Sequence, residues 1–189
     1  MHTMRRVLFS MTLLALMAPA AFAMDVIPYQ ADGWSYQVMS HSSELGWIFM
    51  DPNFDDHLWA TGRAAFGSAS GCSSSPLTHT PWAINTDLLL RYRFESDPLA
   101  PTSLEFAVDN DATIWVNGVQ IITVTHEGCA TPGDWTVAIP PGVLHAGVNV
   151  VAVRAVDRGG ISFFDLRVIG DLPVPVRTRT WGQLKLFHH

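Results

Sequence analysis

The stretch DNDATIWVNGVQII, residues 109–122, decides the fold. Asn117 and Gly118 accept the positive φ angles of a type I′ turn, the common turn of a two-residue β-hairpin. The flanking segments ATIWV and VQIITV are short, apolar and rich in β-branched residues, which is typical of strands. The stretch therefore predicts two antiparallel strands joined at Asn117–Gly118.

Further segments along the chain repeat the two-residue period of a half-buried strand. The residues that share a face within each segment are Leu88, Leu90, Tyr92 and Phe94; Leu104, Phe106 and Val108; and Phe164, Leu166 and Val168. Arg91, Arg93 and Glu95 fall on the opposite side of their strand. Many short strands between Gly- and Pro-containing turns, without a long helical period, predict an all-β protein with a jelly-roll β-sandwich.

The N-terminus has the features of a cleavable export signal. Arg5 and Arg6 precede an apolar stretch, and the AFA that follows fits a small-x-small cleavage site. A membrane-spanning helix needs about 20 unbroken apolar residues, and Pro19 falls near the end of this run. A retained anchor is the alternative. We predict a signal peptide over residues 1–23, a mature chain from Met24, and a secreted or periplasmic protein.

Charge and length restrict the function of the mature chain. The full sequence of 189 residues carries a formal net charge of −6 at pH 7. Nucleic-acid and anionic-membrane binding both need basic surfaces, so neither class of partner is expected. The remaining length suits one domain with its own core, which we place at residues 24–170. No second apolar segment of spanning length follows.

The two cysteines predict one disulfide. Cys72 and Cys129 lie in the loop-like segments SGCSSSP and EGCATPG, and an even pair in an exported protein reads as a bridge. A metal site at His126 and Cys129 is the alternative, but no second ligand pair with zinc spacing follows.

Residues 171–189 differ in character from the strands before them. DLPVPVRTRT has the proline content of an extended linker, and WGQLKLFHH is an amphipathic, mildly basic peptide. This segment is either a frayed or tucked tail, or a docking signal for a protein partner.

Four stretches together resemble a known family. They are FDDHLWATGRAAFG, NTDLLLRYRF, LEFAVDNDATIWVNGVQI and IPPGVLHAGVNVVAVRAVDRGGISFFDLRV. They resemble the galactose-binding-domain-like β-sandwich, which occurs in carbohydrate-binding accessory modules and as the sugar-binding domain of β-galactosidase-type glycosidases. The family features fall on Asp55, Asp56 and Trp59, on Val116, Asn117 and Gly118, and on Gly147–Val153, and the resemblance covers about residues 34–170. It indicates the fold more specifically than the function.

The resemblance implies ligand contacts in the loops at one end of the sandwich and, in many members, a structural calcium. Calcium takes about six to eight oxygen ligands. Asp109, Asn110 and Asp111 offer three side chains, with Asp157 or Asp165 as further donors if the fold brings them near. The alternative is that these residues only form a turn through bonds to their own backbone.

Trp115 and Arg158 are the other candidate ligand contacts. Alternation places Trp115 on the face opposite Ile114 and Val116, where an indole ring suits stacking on a sugar. The alternative is that this face is covered. Arg158 either contacts a ligand or forms an ion pair with Asp157.

The sequence gives little indication of a catalytic site. GSASG at residues 67–71 has an alanine where a nucleophile elbow needs serine. A glycosidase needs two carboxyl groups across a cleft, and nothing places two of the available Asp and Glu residues in one. Asp55 and Asp56 are better explained as caps of a turn that directs Trp59 into the core.

We therefore predict an exported, non-catalytic carbohydrate-binding β-sandwich. The alternative is a structural or assembly protein of the cell envelope or extracellular matrix, which packs through the sandwich and the C-terminal tail.

Overall fold

The computed structural model describes residues 22–41, 47–68, 71–96 and 102–172. The predicted signal peptide up to residue 21 and the tail from residue 173 lie outside these ranges. Among the described residues, no helix has the length and hydrophobicity needed to cross a membrane.

Apart from two short 3₁₀ helices, the regular secondary structure of the described chain is β. Its strands are β1 (Phe22–Ile27), β2 (Trp34–Met39), β3 (Ala60–Gly62), β4 (Phe66–Gly67), β5 (Thr80–Pro81), β6 (Asp87–Ser96), β7 (Thr102–Asp109), β8 (Asp111–Val116), β9 (Val119–Thr125), β10 (Trp135–Ala138), β11 (Gly147–Val156) and β12 (Phe163–Leu172). Two short 3₁₀ helices, Trp47–Met50 and Ser75–Leu77, interrupt the loops.

The strands form two sheets that pack face to face. Sheet A has the order β10-β7-β12-β4-β5, with β1 also paired to β12. Sheet B has the order β3-β2-β6-β11-β8-β9. Pairing is antiparallel except between β4 and β5. The prediction of an all-β sandwich is confirmed.

The core lies between the sheets and contains the residues that alternation assigned to it. Leu88, Leu90 and Phe94 of β6 face Leu104, Phe106 and Val108 of β7 and Phe164, Leu166 and Val168 of β12 across this core. Tyr92 packs against it while half-buried. Period-two patterning thus identified the inner faces correctly, because each strand buries one face between the sheets.

The hairpin at Asn117–Gly118 is confirmed. Asn117 has φ 50° and Gly118 φ 79°, the left-handed values that a type I′ turn requires.

The Asn117 side chain also forms hydrogen bonds with the start of β11. Its Nδ2 donates to Asn149 Oδ1 at 2.8 Å, and its Oδ1 accepts from Val150 N at 2.9 Å. Asn149, fully buried, donates back to the carbonyls of His145 and Gly147 at 2.9 Å each. The two family motifs are therefore one hydrogen-bonded unit that ties the hairpin to the start of β11.

The disulfide is confirmed. Cys72 and Cys129 are bonded, with their Cα atoms 5.5 Å apart and 57 residues apart in sequence. The bridge ties the loop before β5 to the loop between β9 and β10.

The first and last strands pair with each other near the predicted domain limits. β1 begins at Phe22, and Met24 lies opposite Gly170. β12 continues to Leu172, two residues beyond the predicted end of the domain at residue 170.

Candidate functional site

Trp115 lies on the predicted face but is not open to solvent. It points away from the main core into a second apolar cluster with Phe49, Leu89 and Ala152. Its side chain is 4% exposed, and the Phe49 ring meets it edge-on with centroids 5.7 Å apart. The prediction of an exposed stacking surface at Trp115 is therefore wrong, because residues 47–59, the cover segment, lie over this part of sheet B.

Arg91 fastens the cover segment to sheet B. The side chain, predicted on the solvent side of β6, is 0% exposed. Its guanidinium donates to four carbonyls of the cover segment, those of Phe49, Asp51, Pro52 and Phe54. Its carbon Cζ also lies 5.4 Å from the centre of the Phe54 ring. A guanidinium has five donors in a rigid plane, which is why one arginine can hold so many carbonyls of an irregular segment.

Asp56 completes this fastening. Arg91 Nε donates to its Oδ2 at 3.1 Å, and Arg93 donates to both oxygens at 2.8 and 3.0 Å. Burial alone would raise the pKa of Asp56, but the hydrogen bonds and charges of Arg93 and Arg91 lower it below its ordinary value. The predicted capping role belongs to Asp55 alone, whose Oδ1 accepts from His57 N at 3.1 Å. Asp56 is a buried ion-pair partner instead.

The structure brings together the predicted loop residues Asp109, Asn110, Asp111, Asp157 and Arg158. Asn110 is the link, because its Oδ1 accepts from Arg158 N at 2.8 Å and its backbone N donates to the Val156 carbonyl at 3.1 Å. These residues, whose proximity the sequence left open, therefore share one end of the sandwich.

Within this loop cluster Arg158 has different partners from the predicted one. Its Nη2 lies 3.0 Å from Asp111 Oδ1 and 2.6 Å from Glu127 Oε1. Asp157 is fully buried, and its Oδ2 accepts from the backbone amides of Asn85 and Gly159. The expected Asp157–Arg158 ion pair is thus replaced by pairs between Arg158 and two other carboxylates.

Two of the predicted calcium ligands, Asp111 and Asp157, have hydrogen-bond partners within the protein. Among the described residues, no three His, Cys, Asp or Glu side chains are grouped so as to hold a metal ion. Asp111 bonds to Arg158, and Asp157 bonds to backbone amides. Burial, and then the neighbouring charge of Asp157, raise the pKa of Asp109 to about 6. Calcium binding by Asp109, Asp111 and Asp157 therefore stays a prediction.

An accessible aromatic cleft lies between the end of the cover segment and strand β2. It has a volume of about 770 Å³. The residues that line it are Tyr36, Gln37, Val38, Phe54, Asp55, Leu58, Trp59, Ala60 and Pro81. Trp59 is half-buried, and Phe54 packs edge-on against its ring at 5.6 Å. Leu58 is 86% exposed beside it. Phe54 thus fixes an indole ring at the edge of an open, apolar surface.

The polar groups of this cleft are few. Gln37 offers an amide, and Asp55 a carboxylate that also bonds His57 Nδ1 at 2.7 Å. That bond lowers the pKa of Asp55, which is therefore ionised at neutral pH. Aromatic walls with a few fixed polar groups are what a small-molecule or sugar site needs.

Comparison with known proteins identifies the fold. No protein-family model matches the sequence, and no curated protein matches it. A glycosyl hydrolase family 2 member from Bacteroides cellulosilyticus DSM 14838 matches with TM-score 0.53 and 15% identity, over 78% of this chain and 20% of that chain. A beta-glucuronidase from an uncultured Clostridium sp. matches with TM-score 0.53 and 11% identity, over 85% and 30%. Bacteroides uniformis beta-glucuronidase 2 matches with TM-score 0.54 and 14% identity, over 80% and 18%.

These likenesses confirm the resemblance at the level of the fold. The protein has the β-sandwich that also occurs within much larger glycosidases. It spans less than a third of each of these structures, so it corresponds to a part of them.

The sequence interpretation missed the cleft because it assigned Trp59 to the core. The sequence did indicate an exposed apolar residue at this point, because Leu58 and Trp59 are adjacent and cannot both point inward on one short turn. Leu89, on the supposed solvent side of β6, likewise indicated that something covers that face.

Proposed function

We propose that the protein is a carbohydrate-binding accessory module whose site is the cleft at Trp59. The fold supports this, because sandwiches of this kind occur as parts of glycosidases. A fold alone does not give a function, so the proposal depends on the cleft.

The half-buried indole of Trp59 carries the proposal. A sugar ring has an apolar face that packs on an aromatic ring, while its hydroxyl groups need a few polar partners. Trp59, Tyr36 and Phe54 supply the apolar surface, and Gln37 and Asp55 supply the partners. Trp115 and the Asp109–Arg158 loop cluster are weaker candidates, because the ring is covered and the loop side chains bond one another.

We propose further that binding occurs without catalysis and outside the cytoplasm. Asp55 is the carboxylate that lines the cleft in the described part of the chain, whereas glycoside hydrolysis uses two flanking carboxyl groups. The export-type N-terminus, the jelly-roll class of sandwich and a mature chain from Met24 belong to the same proposal. The disulfide supports it, since such bonds persist in oxidising compartments.

A glycan-array screen of residues 24–189, followed by calorimetry, tests the proposal. Trp59→Ala should abolish binding, and Trp135→Ala is the matched control. Trp135 is also a half-buried tryptophan, but it stacks on Phe106 away from the cleft. Equal loss in both variants would indicate a general effect on folding. A folded protein that binds no glycan would overturn the proposal.

The second candidate is assembly with further protein chains. It is favoured by a shallow apolar depression of about 530 Å³ at the hairpin tip, lined in part by Ile48, Met50, Pro52 and Val119. Ile48 and Val119 are both exposed. Analytical ultracentrifugation decides between the candidates. Concentration-dependent oligomers that Val119→Asp disperses would support assembly.

A further inference from the structure

The cleft at Trp59 continues past Pro81 into a second cleft. The second cleft has a volume of about 740 Å³, and Val38 and Pro81 line both. Its far wall carries Ile84, which is 49% exposed. The two clefts therefore form one surface, here called the flank groove, which extends from Leu58 through Pro81 to Ile84.

Short edge strands explain why this flank is open. β3 pairs with β2 over Trp34–Tyr36 and stops there. β5 has two residues, and its Pro81 cannot donate a ladder hydrogen bond. Within the described ranges, the edge of β2 beyond Tyr36 therefore has no further strand on that side. The flank groove runs along this edge.

Gly62 keeps the neighbouring part of the flank closed. A Cβ at this position would lie 2.8 Å from Thr80 Oγ1, so glycine allows β3 and β5 to approach closely. The two edge strands therefore meet beside the flank groove.

The shape of the flank groove indicates the size of its ligand. Pockets for small molecules bury roughly 70–90% of the ligand surface. Here the apolar side chains at both ends, Leu58 and Ile84, project into solvent. A single sugar would contact one wall and remain largely hydrated. A chain of sugars can contact the Trp59 end and the Ile84 end together.

The charge of the flank groove indicates the chemistry of its ligand. Apart from the phenol of Tyr36, its titratable lining residues in the described chain are Asp55 at one end and His79 beyond Pro81. His79 Nε2 lies 2.9 Å from Gln30 Oε1, which fixes its ring. No Lys or Arg side chain is among the lining residues that the structure describes. An acidic sugar would therefore meet the Asp55 carboxylate without a cation to pair with.

We infer that the ligand is a neutral, extended polysaccharide that lies lengthwise in the flank groove and is bound along its chain, not by a terminal sugar. This inference rests on the proposed function and adds the length, charge and orientation of the ligand to it.

Calorimetry with defined oligosaccharides tests the inference. The probes are the mono-, di-, tetra- and hexasaccharides of cellulose, xylan and β-1,4-galactan, with oligogalacturonides of the same lengths as the acidic series. For one neutral series, affinity should rise with length by about tenfold or more between the di- and hexasaccharide. The oligogalacturonides should bind more weakly than the neutral chains.

Substitutions at the two ends of the flank groove test the length of the ligand separately from the proposed function. Ile84→Ala should lower hexasaccharide affinity about threefold to tenfold and leave disaccharide affinity unchanged. Trp59→Ala should abolish both. Val119→Ala, an exposed apolar truncation at the hairpin tip, is the control and should change neither.

The outcomes distinguish two kinds of failure. The inference of an extended ligand is wrong if a monosaccharide binds as tightly as the hexasaccharide. It is also wrong if Ile84→Ala leaves the affinity unchanged while Trp59→Ala still abolishes binding. In both cases the proposed function stands. Preference for the acidic series would overturn the argument from charge. If no saccharide binds, or if Trp59→Ala has no effect, the proposed function fails and the inference fails with it.

Discussion

Two buried carboxyl groups on the outer faces of the two sheets differ sharply in their surroundings. Asp56, over sheet B, is held by Arg91 and Arg93. Asp165, on β12 of sheet A, is 0% exposed and accepts from the backbone amides of Gln30 at 3.2 Å and Leu166 at 2.9 Å. Its second oxygen has no hydrogen-bond partner among the described residues.

The difference shows that partners, more than burial, decide the ionisation of a buried acid. The pKa of Asp56 lies below its ordinary value. Burial raises the pKa of Asp165 to about 7, and its two amide donors offset this only in part. Asp56 therefore stabilises the fold once ionised, and that contribution is lost as the pH falls through its lowered pKa. Asp165 does the opposite, because its ionisation opposes folding.

Removing the Arg91 guanidinium should cause the largest loss of stability. Arg91→Met leaves four carbonyls of the cover segment without this donor and removes one of the two arginine partners of Asp56, and loss of a partner from a buried pair costs about 3–5 kcal/mol. Urea unfolding measures this loss. Acrylamide should also quench Trp115 more strongly in the variant, because the cover segment loosens.

The double variant Arg91→Met with Asp56→Leu is the control for this prediction. Since it removes both charges, it should be less destabilised than the two single changes predict by addition. Simple additivity would show that Arg91 and Asp56 do not act as a unit.

Replacing the buried Asp165 should have the next largest effect on stability, and this effect should be a gain. With an unfolded pKa near 3.8 and a folded pKa of about 7, wild-type stability should fall as the pH rises from about 4 to 7 and then level off. Asp165→Asn should remove this slope and gain up to about 4 kcal/mol over the wild type at pH 8. Unfolding curves between pH 4 and 8.5 measure it.

An exposed carboxylate provides the comparison for this variant. Asp32 is open to solvent, so Asp32→Asn should reproduce the wild-type slope. A slope that Asp165→Asn leaves intact would show that another group, such as Asp109 with its pKa of about 6, controls this pH range.

Removing Arg93, the more exposed partner of Asp56, should cause the smallest loss of stability. Arg93 bonds both carboxylate oxygens, but its side chain is 45% exposed, so water screens the pair. We expect Arg93→Ala to cost about 1 kcal/mol or less. A loss as large as that of Arg91→Met would mean that Arg93, and not Arg91, holds the cover segment.

The sequence predicted what depends on local spacing. Period-two alternation identified the core residues of β6, β7 and β12, Asn117–Gly118 identified the hairpin, and the cysteine pair identified the disulfide.

The rest depends on long-range contacts that alternation does not encode. Arg91 occupies a position that looks solvent-facing, but its bonds to a segment about 40 residues earlier in the chain show that this face of the sheet is covered. The same contacts bury Trp115 and leave Trp59 at the surface. The sequence analysis therefore chose a buried tryptophan as the candidate for ligand stacking and placed the accessible one in the core.

Indole NMR during a ligand titration tests most directly which tryptophan binds. The chain has seven tryptophans, each with one indole N–H that can be followed in a ¹H–¹⁵N spectrum and assigned by Trp→Phe substitution. Addition of the neutral hexasaccharide with the highest affinity should shift the Trp59 signal and leave the Trp115 signal in place. A shift at Trp115 with Trp59 unchanged would contradict the assignment of the site to the cleft at Trp59.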